Sequence, residues 1–459
     1  MSTVPAKIFR AYDVRGKVGP DLDARFAELL GKAIGTTARR QGRQALSVGR
    51  DCRTHSPELH AGLVAGLRST GIDVVDIGVV PTPLVYFSLF HLESEIQGGI
   101  EITGSHNAKE YNGFKVCLGQ TSIYGDAIQD LRNLIEKDDF EVGHGGYRER
   151  PIVRDYIDYV KGNLWFPHTK LKIVVDGGNG TAGPVIEPLL RELGFDVIPL
   201  FIEMDGEFPN HHPDPTEPHN LAALIKRVTS TGAALGVAYD GDADRIGVVD
   251  EKGGILWGDR LMILLSRKLL EWSPGAAIVG EVKCSQTLFD DIAARGGKPI
   301  MSQVGHSLIK ARMKAEGALL AGEMSGHIFF KHRYFGYDDA IYTTGRVLEI
   351  LTRETKPLSA LLADVPETFS TPELRLNCPD ELKFDVVADL LAKFKAEQPV
   401  IDIDGARVLW PDGWGLVRAS NTEPVLVVRC EAKSPQGLAR IRETIEGAIG
   451  LAIAKRRAP

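Results

Sequence analysis

Short β-branched runs alternate with helical patterns through most of this 459-residue chain, and one arrangement occurs three times. ALSV (45–48) leads through GRDCRTH to a helical stretch near 57–68, then Gly71 and the strand-like DVVDIG. KIVV (172–175) leads through DGGNGTAG to the helical VIEPLLRELG and then DVIPLF. AIVG (277–280) leads through EVKCSQ to TLFDDIAARGG and then PIMSQ. Strand, polar turn, helix of about three turns and strand are the building block of a parallel or mixed α/β sheet. Copies at irregular spacing predict three related α/β domains rather than a solenoid. The remainder reads differently. PETFSTPELRLNC (366–378), a helix near 383–397, strands around 410–419 and 424–430, and a helix near 435–449 predict a smaller α+β unit. Divisions at 152, 254 and 366 give segments 1–151, 152–253, 254–365 and 366–459.

Length agrees, because a chain this long exceeds one ordinary core. A 43% hydrophobic and 25% charged composition is that of a globular protein, and the net charge of −7 disfavours non-specific nucleic-acid binding. No apolar run has membrane-spanning length, and MSTVPAKIFR has no signal core. Five scattered cysteines with no CxxC pair predict neither a disulfide framework nor a zinc site, and a reducing cytoplasm is the expected compartment. The basic tail at 455–457 is expected to be merely solvated.

Chemistry concentrates in a few polar segments. YDGDADRIGVVD (239–250) sets Asp240, Asp242 and Asp244 at alternating positions after an apolar run. Their mutual repulsion calls for a cation, and oxygen ligands select Mg²⁺ or Ca²⁺. Glu251 falls at the twelfth position of an EF-hand pattern, but Arg245 stands where that loop needs glycine, and the flanks read as strands. Mg²⁺ is therefore expected.

ITGSHNAKEYNGFKV (102–116) offers Ser105, His106 and Lys115. A hydrolase elbow would need glycines where Thr103 and Asn107 stand, so a phosphorylated serine and a simple polar turn are the competing readings. RASNTEP (418–424) brings Arg418, Ser420, Asn421 and Thr422 together, either as a phosphate cradle or as an ordinary hairpin turn. GEMSGH (322–327) supplies Glu323 and Ser325 for sugar hydroxyls and His327 for a proton, against a polar turn at a strand end. His306, in VGHSLIK, reads by itself as structural.

Taken in order, FRAYDVRG (9–16), TGSHN, DGDADR, GEVKCS, VGHSLIK, GEMSGH and RASNTEPVLVVR resemble the α-D-phosphohexomutase superfamily, above all its bacterial phosphomannomutase/phosphoglucomutase branch. The resemblance implies four domains around a central cleft, three α/β sandwich domains with mixed sheets and a smaller C-terminal α+β domain. They would carry, in turn, the phosphoserine, metal-binding, sugar-binding and phosphate-binding loops. It implies interconversion of hexose 1- and 6-phosphates of mannose or glucose through a phosphoserine and a hexose 1,6-bisphosphate. Ser105, Lys115, Arg15, His106, His327 and Arg245 become the catalytic group, and Ser105 with Asp240, Asp242 and Asp244 the Mg²⁺ ligands. Tyr12, Lys283, His306, Glu323, Ser325, Arg418, Ser420, Asn421 and Thr422 become substrate contacts. Glucose 1,6-bisphosphate or a related bisphosphate becomes the activator, and hexose phosphates the only partners of a monomer or dimer. Lys115 and His327 are both candidate bases. The chain departs from the pattern at Ala108, where proline is frequent, and at Cys284, where threonine is common. The competing functions are phosphoglucosamine mutase, from which Met324 points away, and a silent metal- or nucleotide-binding protein using DGGNGTAG. That segment lacks the order of a dinucleotide or P-loop motif.

Overall fold

In the computed structural model, which describes residues 4–167, 171–420 and 424–457, each of the first three sheets is built on one strand plan. The leading strand of each repeat (Ala45–Arg50, Lys172–Asp176, Ala277–Glu281) is an interior strand paired on both sides. The strand after its helix (Asp73–Val79, Asp196–Leu200, Lys298–Ser302) pairs parallel on one side. A third strand (Gly98–Ile102, Leu235–Tyr239, Leu320–Gly322) pairs parallel on the other. It then turns into an antiparallel fourth (Tyr111–Leu118, Ile246–Asp250, Ile328–Phe330). Parallel neighbours require a crossover, which the helices Ser56–Ser69, Gly183–Glu192 and Gln286–Ala294 supply. Strands buried on both faces, such as Leu235–Tyr239, explain the continuous apolar runs in the sequence.

The fourth sheet is antiparallel throughout, with Gly413–Ala419 and Val425–Ala432 at its middle and the helices Asp380–Glu397 and Pro435–Arg457 packed on it. The last helix runs two turns beyond the expected 449. The basic tail is thus helical, with Lys455 and Arg456 exposed as expected, and Arg456 Nε donates to Asp389 Oδ2 at 2.8 Å.

Burial divides the molecule unequally. One apolar core runs from Ala45 to Val365 through all three α/β domains, beside a further core of the first domain around Leu30, Leu63 and Phe114, whereas the C-terminal domain has its own core around Phe394, Leu426 and Ile441. Helix Thr82–His91, buried from Thr82 to Leu89, is the wedge that joins the first domain to the next two. A helix apolar on all sides has no exposed face to pattern it, which is why periodicity did not reveal it. The C-terminal domain meets the third through a small cluster of Val282, Trp414 and Leu416. Buried Arg407 stacks 3.8 Å from Trp414 and donates to the Val282 and Cys284 carbonyls.

Candidate active site

The third-to-fourth-strand hairpin of each α/β domain carries one of the polar motifs: TGSHN in the first, DGDADR in the second, EMSGH in the third. Three copies of one architecture therefore present three different polar motifs from equivalent loops. Repeats seen in the sequence as strand–helix–strand units extend, in the structure, to the loops that matter.

Backbone proximity brings the first two loops together. A Cβ on Gly241 would lie 2.5 Å from the Ser105 carbonyl oxygen, so the DGD motif needs its glycine for this approach. The DGGNGTAG turn backs the same loop, with Thr181 N and Oγ1 both donating to the Gly241 carbonyl. That segment buttresses the aspartate loop as well as joining a strand to a helix. Ser105 itself has φ +49°, an unusual backbone for a residue with a side chain. Its Oγ donates to Asp240 Oδ2 at 2.8 Å and lies 3.2 Å from His106 Nδ1.

The three aspartates are fully buried, with oxygens of all three within 4.8 Å of one another. Burial, then the charges of Asp242 and Asp244, push Asp240 well above the usual carboxylate range. Burial acts on Asp242 in the same direction, but Lys115 and Thr82 overcome it and hold that carboxyl below the range. Lys115 Nζ lies 2.6 Å from Asp242 Oδ2 and 2.5 Å from Asp244 Oδ2. Burial opposes its charge, yet the aspartates raise its pKa above that of an ordinary lysine. Among the described residues, Asp242 Oδ1 and Asp244 Oδ1 are buried with no hydrogen-bond partner. Hard oxygen donors, partly unsatisfied and crowded together, fit a divalent cation.

A second group of contacts adjoins the first. Arg245 Nε donates to His327 Nε2 at 2.9 Å, which assigns the ring proton to Nδ1. That nitrogen lies 3.0 Å from Asp338 Oδ2 and 3.5 Å from Asp244 Oδ1. The His327 and His306 rings stack 5.9 Å apart, and Tyr12 meets His306 edge-on at 6.1 Å while donating to the Val304 carbonyl. Burial, followed by nearby cationic groups, drives His106 and His306 well below the usual histidine pKa. Glu323 accepts from Gly305 N at 3.0 Å and from Ser325 Oγ at 3.1 Å. Arg15 bridges Asn107 Oδ1 and Asp13 Oδ2, at 2.5 and 2.6 Å.

The remaining residues cluster where the third and fourth domains meet. Lys283 Nζ donates to Glu373 Oε2 at 2.9 Å, and Arg418 Nε to Asp404 Oδ2 at 2.9 Å. Asp404 also accepts from Val304 N, the residue whose carbonyl takes the Tyr12 hydroxyl, so the two groups are continuous. Ser420 is buried beside them, while Asn421 and Thr422 lie outside the described residues.

Sequence reasoning missed Thr82, Asp338, Glu373 and Asp404. Thr82 donates to Asp242 Oδ2 at 2.6 Å from the start of the wedge helix. In the sequence it is one threonine between two prolines. Asp338 lies beside Asp339, which caps the helix Ala340–Leu351, and the pair reads as a helix start. Glu373 and Asp404 carry no motif; only the fold brings them to Lys283 and Arg418.

Four consecutive segments match models of phosphoglucomutase/phosphomannomutase domains: 6–142, 154–254 and 257–369 the alpha/beta/alpha domains I, II and III, and 373–448 the C-terminal domain. The chain belongs to this family, within the α-D-phosphohexomutase superfamily. It is 45% identical to the phosphomannomutase/phosphoglucomutase of Pseudomonas aeruginosa over 96% of this chain and 95% of that one. With the phosphoglucomutase of Neisseria gonorrhoeae the identity is 43%, over 98% of each. The crystal structure of a phosphoglucomutase/phosphomannomutase family protein from Burkholderia thailandensis superposes with a TM-score of 0.92 at 44% identity, covering 100% of this chain and 99% of that one.

Proposed function

We infer that the protein interconverts the 1- and 6-phosphates of mannose and glucose, with Ser105 as the phosphate carrier. The observation that carries this reading is the Ser105–Asp240 contact, which sets a hydroxyl against a carboxylate cluster from another domain. Asp240, Asp242 and Asp244, together with phosphorylated Ser105, would hold Mg²⁺. When bound, that ion neutralises charge on the phosphoryl group and polarises its bond to Ser105.

The chain's own residues supply the rest. Phosphoryl transfer has a loose transition state, so alignment and charge carry most of the catalysis. Arg15 and Lys115 bring cations to the reacting group, Lys115 by turning from the aspartates towards phosphate. As a charged partner of Asp242 and Asp244 it is a poor proton acceptor. His327 is the better base, because its Nε2 lone pair becomes available once Arg245 shifts to substrate. Glu323 and Ser325 hold sugar hydroxyls beside His306 and Tyr12. Arg418 and Ser420, with Asn421 and Thr422, hold the phosphate that does not react. The hexose 1,6-bisphosphate formed in the first transfer turns over and returns its other phosphate to Ser105. The same bisphosphate, added as activator, phosphorylates an enzyme that has lost its group.

The C-terminal domain has its own core and meets the third largely through polar pairs such as Lys283–Glu373 and Asp404–Val304, an arrangement that suits a lid that opens for this reorientation. The five cysteines are free thiols, and the reading extends to a cytoplasmic monomer acting on small hexose phosphates. A coupled assay on mannose, glucose and glucosamine 1-phosphates tests the substrate class. Turnover of the first two is expected; a preference for the amino sugar would replace this reading with a phosphoglucosamine mutase.

A further inference from the structure

Behind the Ser105 loop lies a buried arginine that none of the chemistry above uses. Arg53 is 1% exposed and spends all five guanidinium N–H groups. Nε donates to Asp51 Oδ2 at 3.1 Å. One terminal nitrogen donates to the carbonyls of Ala108 and Tyr111, at 2.8 and 3.0 Å, and the other to those of Ser105 and Asn107, at 2.8 and 2.6 Å. Asp51 in turn accepts from Gly104 N at 3.0 Å. The guanidinium therefore holds four carbonyls of one loop, including that of the carrier residue itself.

Two further facts show that the loop is shaped around this fork. A Cβ on Gly104 would stand 2.4 Å from Arg53 Cζ, so only glycine leaves room for it. Ser105, the next residue, keeps a left-handed φ of +49° that a serine does not adopt without an external hold. Asn107, whose carbonyl is in the fork, is also the residue whose side chain takes Arg15.

Resting on the reading of Ser105 as carrier, we propose that Arg53 is the positioning residue of the phosphoryl-transfer step, fixing the loop so that the Ser105 hydroxyl stays aimed at Asp240. Arg53 touches no reacting atom; it acts through the backbone on either side of Ser105. Misplacing a reacting group slows the chemical step, whereas Arg418, Ser420, Glu323 and Ser325, which hold substrate, stay where they are.

The test uses Arg53→Lys, which keeps a charge opposite Asp51 but offers one nitrogen in place of a fork, and Gly104→Ala, which pushes the intact fork off its carbonyls. Steady-state kinetics are measured alongside the rate at which a hexose 1,6-bisphosphate phosphorylates Ser105, followed by intact mass, on protein shown to be folded by thermal unfolding. The expected result is that kcat and the phosphorylation rate fall together by about 100-fold while KM changes by less than about threefold. The double variant should lose no more than the worse single one, because both act on the same contacts. Wild-type kcat and phosphorylation in folded Arg53→Lys, a change in KM alone, or a loss of kcat that only follows the loss of folded protein would overturn the proposal. Should the lysine variant not fold, Gly104→Ala decides by the same criteria. A wild-type protein that takes no phosphate on Ser105 would instead overturn the carrier reading on which this rests.

Discussion

Lys115 reaches from the first domain to within 2.6 Å of Asp242 Oδ2 in the second, lending the aspartate cluster a positive charge of its own. A divalent ion held by the cluster would therefore share these carboxylates with the lysine. Replacing Lys115 by Met should tighten Mg²⁺ binding by about tenfold, since a like charge is removed from beside the ion. Turnover should fall by at least about 100-fold at the same time. Calorimetric titration with Mg²⁺ and a kinetic assay check the two halves separately; weaker metal binding in the variant would contradict the competition.

Removing the metal should stop turnover and restoring Mg²⁺ should recover it. The ion also relieves repulsion among three buried carboxylates, so it should raise thermal stability, by about 2.7 kcal/mol at a hundredfold excess over its Kd. In Asp242→Asn the shift in Tm should shrink. An unchanged Mg²⁺-dependent shift would place the binding site elsewhere.

Arg418 Nε donates to Asp404 Oδ2, an anion whose place a substrate phosphate would take. Arg418→Ala should raise KM for hexose 1-phosphate by about 10- to 100-fold, as expected for a charge-assisted anchor, with a smaller change in kcat. A variant with normal KM would remove the phosphate cradle from this loop.

Glu373 is pulled down to about 2 by the charge of Lys283 beside it, with burial acting in the opposite direction. A carboxyl whose folded pKa is depressed stabilises the fold above its ordinary titration range. That stabilisation is lost as pH falls from the ordinary glutamate value towards 2. Because the pair joins the third and fourth domains, acid should loosen the C-terminal domain before the shared core unfolds. Small-angle scattering should show an expansion on acidification, and Glu373→Gln should already be partly expanded at neutral pH. Equal dimensions for variant and wild type across the range would rule the latch out.

The division between what the sequence reveals and what it hides follows from the range of the contacts. Asp240, Asp242 and Asp244 were legible because their repulsion is set by spacing along the chain. The three repeats were legible because a buried parallel strand must be apolar throughout and a crossover must follow it. The wedge helix Thr82–His91 was not, since burial on every side erases helical periodicity. Thr82 meets Asp242 across 160 residues, and Asp404 meets Val304 across 100, so no local pattern records either contact. The final helix continues past the expected end at 449, through Gly447 and Gly450. In the structure, packing on the fourth sheet and the pairing of Arg456 with Asp389 carry it past both. The triad, Ser105 and the Glu323 loop were thus readable as chemistry, while the groups that orient them required the fold.

The most direct test is to incubate the protein with glucose 1,6-bisphosphate and Mg²⁺, weigh it intact, and locate any added phosphate by fragmentation. One phosphoryl group on Ser105, together with no stable phosphorylation and no mutase turnover in Ser105→Ala, is the predicted result. Turnover that persists in Ser105→Ala, or phosphate found on another residue, would contradict the account.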